Sequence, residues 1–382
     1  MVTKGAMRVQ VIARPTAGQT GMSRYTTCLV RGLRTVGTDV CLTQPAGPPF
    51  PLPLARALRR TGLDVEAFFG SYPLRARLEP AGVYHLAGQT LATLLLFQRF
   101  PGPTVVTVLD IIPWLVRHDP ALNTFGHGVD RFFYRLALAG LKRADAIVAI
   151  SEYTKRTLVQ ALGLPQGRIH VVYPGVDHER FRPVDVPASF RARYGLDRAG
   201  RYVLFVGSDD PRKNLPTLVR AFARVKQRIP EVRLLKVGAP HFQREREHLL
   251  ALIEELELTR NVLFFDGVSD EDLPLFYNAA GLLVLPSLYE GFGLPVVEAM
   301  ACGTPVVCSD ATALPEVAGH SALLVEPSDD RQLAEALCRV LVNQDLQQRL
   351  RRSSLERSES FALQRQAADV TTIYSEVSRR TP

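Results

Sequence analysis

Short runs of aliphatic and β-branched residues alternate along this chain with longer stretches in which apolar positions recur every three or four residues. The first pattern predicts strands covered on both faces, the second amphipathic helices. In the first half strands are expected at Arg8–Ala13, Thr38–Leu42, Gly82–Leu86, Thr104–Leu109, Ala146–Ile150 and Ile169–Val172. Helices are expected at Ser23–Thr35, Asp130–Leu141 and Ser151–Leu162, the last with Ser151 as N-cap. Residues 173–200 interrupt the alternation with the turn Tyr173-Pro174-Gly175 and a Pro-rich stretch through Pro187. The alternation then restarts, with strands at Tyr202–Val206, Arg233–Val237, Val262–Phe265, Gly281–Leu285, Pro305–Cys308 and Ala322–Val325. Helices follow at Leu215–Arg228, Gln243–Leu256, Asp270–Ala280, Pro295–Ala301 and Asp330–Arg357.

Strand–helix alternation of this kind specifies parallel sheets with crossover helices. The expected fold class is therefore α/β, with two Rossmann-like domains facing across a cleft. The first is expected to span 1–185 and the second 186–362. A last helix, 363–382, is expected to pack back on one of the two domains, the first foremost. Ligands of such sheets bind beyond the carboxyl ends of the strands, which makes the cleft the expected site.

The 382 residues are 46% hydrophobic and 22% charged, as in an ordinary globular protein. No run approaches the roughly 18 apolar residues of a membrane span, and the start of the chain lacks the order of a signal peptide. A cytoplasmic location follows as an expectation. The five cysteines stand in apolar contexts without a C-x-x-C pair, so buried thiols are expected rather than zinc or disulfides. The net charge of +8 is uneven: residues 1–185 hold 22 Lys+Arg against 12 Asp+Glu, the remainder 24 against 26. A basic half suits an anionic partner, and peripheral contact with a membrane surface is one form of it. Nucleic acid is not expected, because no Lys/Arg run is interleaved with aromatics.

The strongest chemical signal is Glu290-Gly291-Phe292-Gly293-Leu294-Pro295-Val296-Val297-Glu298. Two glycines let the backbone approach a ligand, Pro295 suits a first helical turn, and Gly303 suits its end. Free amides at that helix start can receive phosphate oxygens. Glu298, one turn inside, can accept bonds from two vicinal hydroxyls such as those of a ribose, and Glu290 can reach a sugar. A second element, Gly207-Ser208-Asp209-Asp210-Pro211-Arg212-Lys213-Asn214, places two cations where a diphosphate leaving group gains charge. The neighbouring Asp209-Asp210 pair raises a metal site, against which the adjacent Arg212 and Lys213 weigh. In the first half the loop Gly18–Arg24, with Gly21, is placed to line the acceptor side. Its glycines lack the G-x-G-x-x-G spacing of a dinucleotide site.

Together these residues resemble glycosyltransferase family 4, of the GT-B fold, over nearly the whole chain. The E-x7-E stretch from Glu290 to Glu298 is the most specific element. Arg212-Lys213-Asn214, Tyr173–Asp177, Ala149–Lys155 and Gly21–Tyr25 support it. The resemblance implies a retaining, metal-independent and cofactor-free transfer from a nucleotide-diphosphate sugar. It implies that Glu298 grips the ribose and Glu290 lies near the donor sugar. It further implies that Phe292, Gly293 and Leu294 offer backbone to sugar or phosphate, that Arg212 and Lys213 hold the diphosphate, and that Gly267-Val268 contacts the base. One position departs. Similar sequences carry His-Asp after the strand matching Thr104–Leu109, whereas this chain reads Leu109-Asp110. Asp110 keeps its place, and His85, His118 and His127 are candidates to replace the histidine. The Asp110–Pro113 stretch is similar to that of mannosyltransferases making surface polysaccharides. It therefore favours mannose from GDP-mannose, with a UDP-sugar as the alternative and a glycan or lipid-linked molecule as acceptor. A catalytically silent sugar-nucleotide binder, or an epimerase or hydrolase on the same fold, are the rival classes.

Overall fold

The structure is a computed structural model that describes residues 7–14, 21–45, 65–126, 128–198, 200–240 and 243–380. His127, most of the loop 44–53 and residues 18–20 of the first loop lie outside the described residues. The chain forms two compact units, one of residues up to Gly175 together with the segment from Leu363 onward, the other of Val176–Ala362.

The first unit is built on a parallel sheet of β1 (Arg8–Ile12), β2 (Asp39–Thr43), β3 (Val83–Leu86), β4 (Thr104–Val108), β5 (Ala146–Ala149) and β6 (Ile169–Val171) in the order β2-β1-β3-β4-β5-β6. Register is fixed by pairs such as Val9 beside Val83 and Val105 beside Ala146. β3, β4 and β5 are buried at every position, which explains why they read as unbroken apolar runs. The strand order reverses between β1 and β3.

Helix Gly21–Thr35 packs against the last helix, Leu363–Arg380. Gly32 permits the approach, since a Cβ there would stand 2.8 Å from the Leu363 carbonyl oxygen. Helix Glu152–Leu162 opens as expected, with Ser151 Oγ accepting from the Thr154 amide at 3.0 Å, and closes on Gly163 at φ 63°.

The second unit repeats the plan with β7 (Tyr202–Val206), β8 (Arg233–Val237), β9 (Val262–Phe265), β10 (Leu282–Leu285), β11 (Val306–Ser309) and β12 (Ala322–Val325). All pairings are parallel, in the order β12-β11-β10-β7-β8-β9. This is the doubly wound order of dinucleotide-binding sheets, and its reversal falls between β7 and β10. The loops leaving those two strands are the two that carry the charged motifs.

Two expected helices differ. The stretch 330–357 breaks into Asp330–Val342 and Gln344–Ser358, because Asn343 leaves the helical region and its Oδ1 accepts from the Leu346 amide at 2.9 Å. The helix expected at Asp270–Ala280 is Leu273–Ala279, which starts with Pro274 in its first turn. Short helices at Ile112–Leu115, Ala188–Tyr194 and Leu314–Ala318 had no periodic signal long enough to announce them.

Candidate functional site

β7 ends at Val206, and the chain turns through Gly207 into a 3-10 turn, Pro211–Lys213. The Gly207 amide continues the sheet by donating to Val237 O at 2.9 Å. Gly238, at φ 127°, faces it so closely that a Cβ would lie 2.4 Å from Gly207 O. Asp210 caps the turn, accepting from the Arg212 amide at 3.1 Å and from Arg212 Nε at 2.9 Å. Asn214 then takes a left-handed φ of 59°. It occupies the N-cap position of helix Leu215–Arg228 but does not cap with its side chain. Its Nδ2 instead donates to Pro286 O and Pro327 O at 3.1 and 2.6 Å, tying this loop to the one after β10.

That tie brings Lys213 against Glu290. Lys213 Nζ donates to Glu290 Oε1 at 2.5 Å, and Ser287 Oγ donates to the same oxygen at 2.8 Å. Both side chains of the pair are largely buried. Burial pushes the Glu290 carboxyl up, but the Lys213 ammonium and then the Arg212 guanidinium outweigh it and hold the group below its ordinary value. The Glu290 amide donates to Thr312 Oγ1 at 3.0 Å. Thr312 is itself left-handed at φ 57°, an unfavourable region for a β-branched residue. Backbone strain therefore flanks the pair on both sides, as it does at many functional sites.

Phe292 is buried, with its ring edge-on to Phe361 at 5.6 Å between centroids. Gly293 has φ 99°, a conformation that favours glycine, and a Cβ there would meet Leu314 Cδ2 at 2.6 Å, so that side chain would also have to move. Helix Leu294–Ala301 starts directly after it, with Pro295 in the first turn, and Gly303 follows its end at φ 70°.

Glu298 is turned inward at 3% exposure, where Oε2 accepts from the Tyr277 hydroxyl at 2.6 Å. Gly267 is exposed just beyond β9 and Val268 is buried beside it. Thus Arg212, Lys213, Glu290, Phe292–Leu294 and Gly207 share the β7 and β10 ends, while Gly267-Val268 stands two strands away at the sheet edge.

Asp110 and Gly21 belong to the first unit. Asp110 follows β4, and its Oδ1 accepts from the Ile112 amide at 3.1 Å, fixing the start of the short helix there. Gly21 is the exposed first residue of its helix. The Leu109 amide donates to Gln89 Oε1 at 3.2 Å.

His85 does not replace the missing histidine. It is fully buried within β3, with Nδ1 at 2.5 Å from the Tyr374 hydroxyl and Nε2 at 2.7 Å from Thr107 Oγ1. Burial lowers its pKa to about 3, so the ring is neutral and both nitrogens are engaged. His118 is exposed.

None of the five cysteines is in a disulfide. Cys302 and Cys308 are buried and their thiols pushed up to about 12, whereas Cys28 and Cys41 are only half-buried. Among the described residues no three His, Cys, Asp or Glu side chains gather to hold a metal, and no helix is long and apolar enough to cross a membrane. The Asp209 carboxylate is filled by Lys236 and Arg246, that of Asp210 by Arg212. Reading the sequence alone missed Ser287, Thr312 and Gly238. Only the sequel of each to a strand end marked them.

Two doubly wound sheets, the second with cations and a carboxylate across its strand-order reversal, define the GT-B fold class. Residues 188–357 match the family model described as "Glycosyl transferases group 1", and residues 19–180 the one described as "Glycosyltransferase Family 4". The chain belongs to glycosyltransferase family 4.

It is similar to the serotype-specific mannosyltransferase WbdA of Escherichia coli, 33% identical over 276 residues, which cover 68% of this chain and 33% of that protein. It is 34% identical over 246 residues to a D-inositol 3-phosphate glycosyltransferase of Streptomyces bingchenggensis, covering 62% of this chain and 54% of the other. Among solved structures, the sucrose-phosphate synthase of Thermosynechococcus elongatus superposes with a TM-score of 0.77 at 25% identity, over 98% of this chain and all of that one. The chain spans a third to about half the length of those curated relatives.

Proposed function

We propose that this protein is a retaining hexosyltransferase that takes a sugar, mannose from GDP-mannose foremost, from a nucleotide diphosphate to a glycan or lipid-linked acceptor in surface polysaccharide synthesis. The observation that carries the reading is the Lys213–Glu290 pair, bridging the two loops at the strand-order reversal of the second unit. Lys213 has ammonium donors beyond the one given to Glu290, and Arg212 stands beside it. Both suit a diphosphate whose oxygens gain charge as the glycosidic bond breaks. The amides at the start of helix Leu294–Ala301 add uncharged donors to the same group.

In this mechanism the bond between the anomeric carbon and the phosphate oxygen breaks as the acceptor oxygen bonds to the same face. The acceptor hydroxyl proton passes to the departing phosphate oxygen. No side chain acts as covalent nucleophile, and no metal or other cofactor takes part. Glu290 orients Lys213 and faces the sugar, Glu298 takes the ribose, and Gly267-Val268 takes the base. On the first unit Asp110 takes a polar catalytic role and Gly21 lines the acceptor side, and the basic surface suits a phosphorylated acceptor or an anionic membrane face. Mannose is favoured by the likeness to a mannosyltransferase, and UDP-glucose or UDP-GlcNAc is the alternative donor.

The second reading, a sugar-nucleotide binder without transfer, is favoured by Leu109 and by the full engagement of His85. Incubation with GDP-mannose, UDP-glucose or UDP-GlcNAc and a cell-envelope acceptor extract decides between them. Transfer of labelled sugar, undiminished by EDTA, is the expected result. Binding without transfer selects the silent binder, donor consumption without acceptor selects a hydrolase or epimerase, and loss of activity on chelation rejects the metal-free mechanism.

A further inference from the structure

A second charged cluster lies across the carboxyl ends of β7, β8 and β9, and no role above uses it. Asp209 Oδ1 forms an ion pair with Lys236 Nζ at 2.5 Å and Oδ2 accepts from Arg246 Nε at 2.6 Å, with the Asp209 and Lys236 side chains both 1% exposed. Arg246 reaches in from helix Gln243–Glu255 and forks its other two nitrogens onto Asp266, at 2.8 and 3.3 Å. Its guanidinium also lies 4.4 Å from the centroid of the Phe264 ring. Lys236 Nζ donates to Gly238 O at 2.6 Å, beside the contact of Gly238 with Gly207. Burial draws the Lys236 pKa below its ordinary value even with Asp209 against it.

Two anions and two cations thus form a neutral set, buried except at Asp266. Apolar residues of similar volume commonly stabilise such a place as well or better, so stability alone does not call for this arrangement. What ion pairs with several fixed bonds supply is geometry. Asp209 stands in the loop that carries Arg212 and Lys213, and Asp266 directly precedes Gly267-Val268. A nucleoside diphosphate is one covalent ligand with a phosphate end and a base end. The separation of these two loops decides whether both ends are held at once.

We infer that Arg246 is a positioning residue that fixes the spacing between the diphosphate loop and the base turn, and through that spacing the choice of nucleobase. The inference rests on the donor reading of these loops. Its test is calorimetric titration of GDP and UDP into the wild type, Arg246→Met, Arg246→Lys and Asp266→Asn, with thermal midpoints recorded alongside. The wild type prefers one base. Arg246→Met weakens the preferred nucleotide about tenfold, a loss of roughly 1.4 kcal/mol, and moves the GDP:UDP affinity ratio toward one. Arg246→Lys recovers part of the ratio.

Asp266 is half exposed and its loss does not uncover the core, so Asp266→Asn decides the matter should Arg246→Met fail to fold. Variants that lower the thermal midpoint but keep the wild-type ratio overturn the inference and leave a purely structural cluster. A wild type that binds both nucleotides equally also overturns it. A wild type that binds neither overturns the donor reading and the inference together.

Discussion

Each unit has its own six-stranded parallel sheet, but among the described residues only the second also buries charged side chains. Among the described residues, the buried polar side chains of the first unit are uncharged: Gln10, His85, Gln89, Gln366 and several Ser and Thr. The second unit buries Asp177, Asp209, Asp210, Lys236, Arg246, Glu290 and Glu298. Yet the sequence assigns the net positive excess to the first half. Net charge therefore describes the surface, where it bears on solvent and anionic partners. The buried charges among the described residues all belong to the nearly neutral half. The first unit uses its neutral chain, Tyr25 to Thr107 to His85 to Tyr374, to join its first and last helices through the sheet.

The contrast can be broken most severely at Lys213. Lys213→Ala removes a cation from the leaving group and leaves Glu290 buried without its partner. Turnover should fall on the order of 10²–10³-fold, with donor affinity falling less. Steady-state kinetics with full donor titration reads both. Normal turnover removes Lys213 from the site.

Acid sharpens the contrast by forcing charge into the first unit. His85 titrates at about 3 when folded, against an ordinary value near 6.5 in the unfolded chain. The unfolded state therefore takes up the proton first, and His85 draws stability down as pH falls from about 6.5 to about 3, by up to roughly 1.4 kcal/mol per pH unit. Above that window its contribution is constant. Urea unfolding across this range should lose up to one proton's worth of slope in His85→Gln, and an identical slope would show that the ring is not held neutral.

The sheets were legible because buried parallel strands leave unbroken apolar runs between turn residues, and the twelve strands among the described residues lie within a residue or two of their expected places. The E-x7-E loop was legible because Gly293, Pro295 and Gly303 carry backbone requirements in their identities. Long-range pairing was not. Lys236 looks out of place in a strand, and Arg246 looks like a solvent-facing helix residue, until Asp209 and Asp266 come beside them. Phe292 was read for its backbone, while its side chain is an anchor on Phe361, 69 positions later. Asn343 ends a helix through a local side-chain bond that a periodicity reading passes over.

Glu298 is where structure and resemblance pull hardest against each other. The resemblance gives it the ribose, and the structure turns it inward onto Tyr277. Calorimetry of GDP and UDP with Glu298→Gln and Glu298→Ala, each verified as folded by circular dichroism, tests the donor site most directly. The account predicts that Glu298→Ala weakens the bound nucleotide by roughly 1.5–3 kcal/mol, the range for a hydrogen bond to a charged group. Affinity equal to the wild type in both variants would contradict it and leave Glu298 with a structural role beside Tyr277.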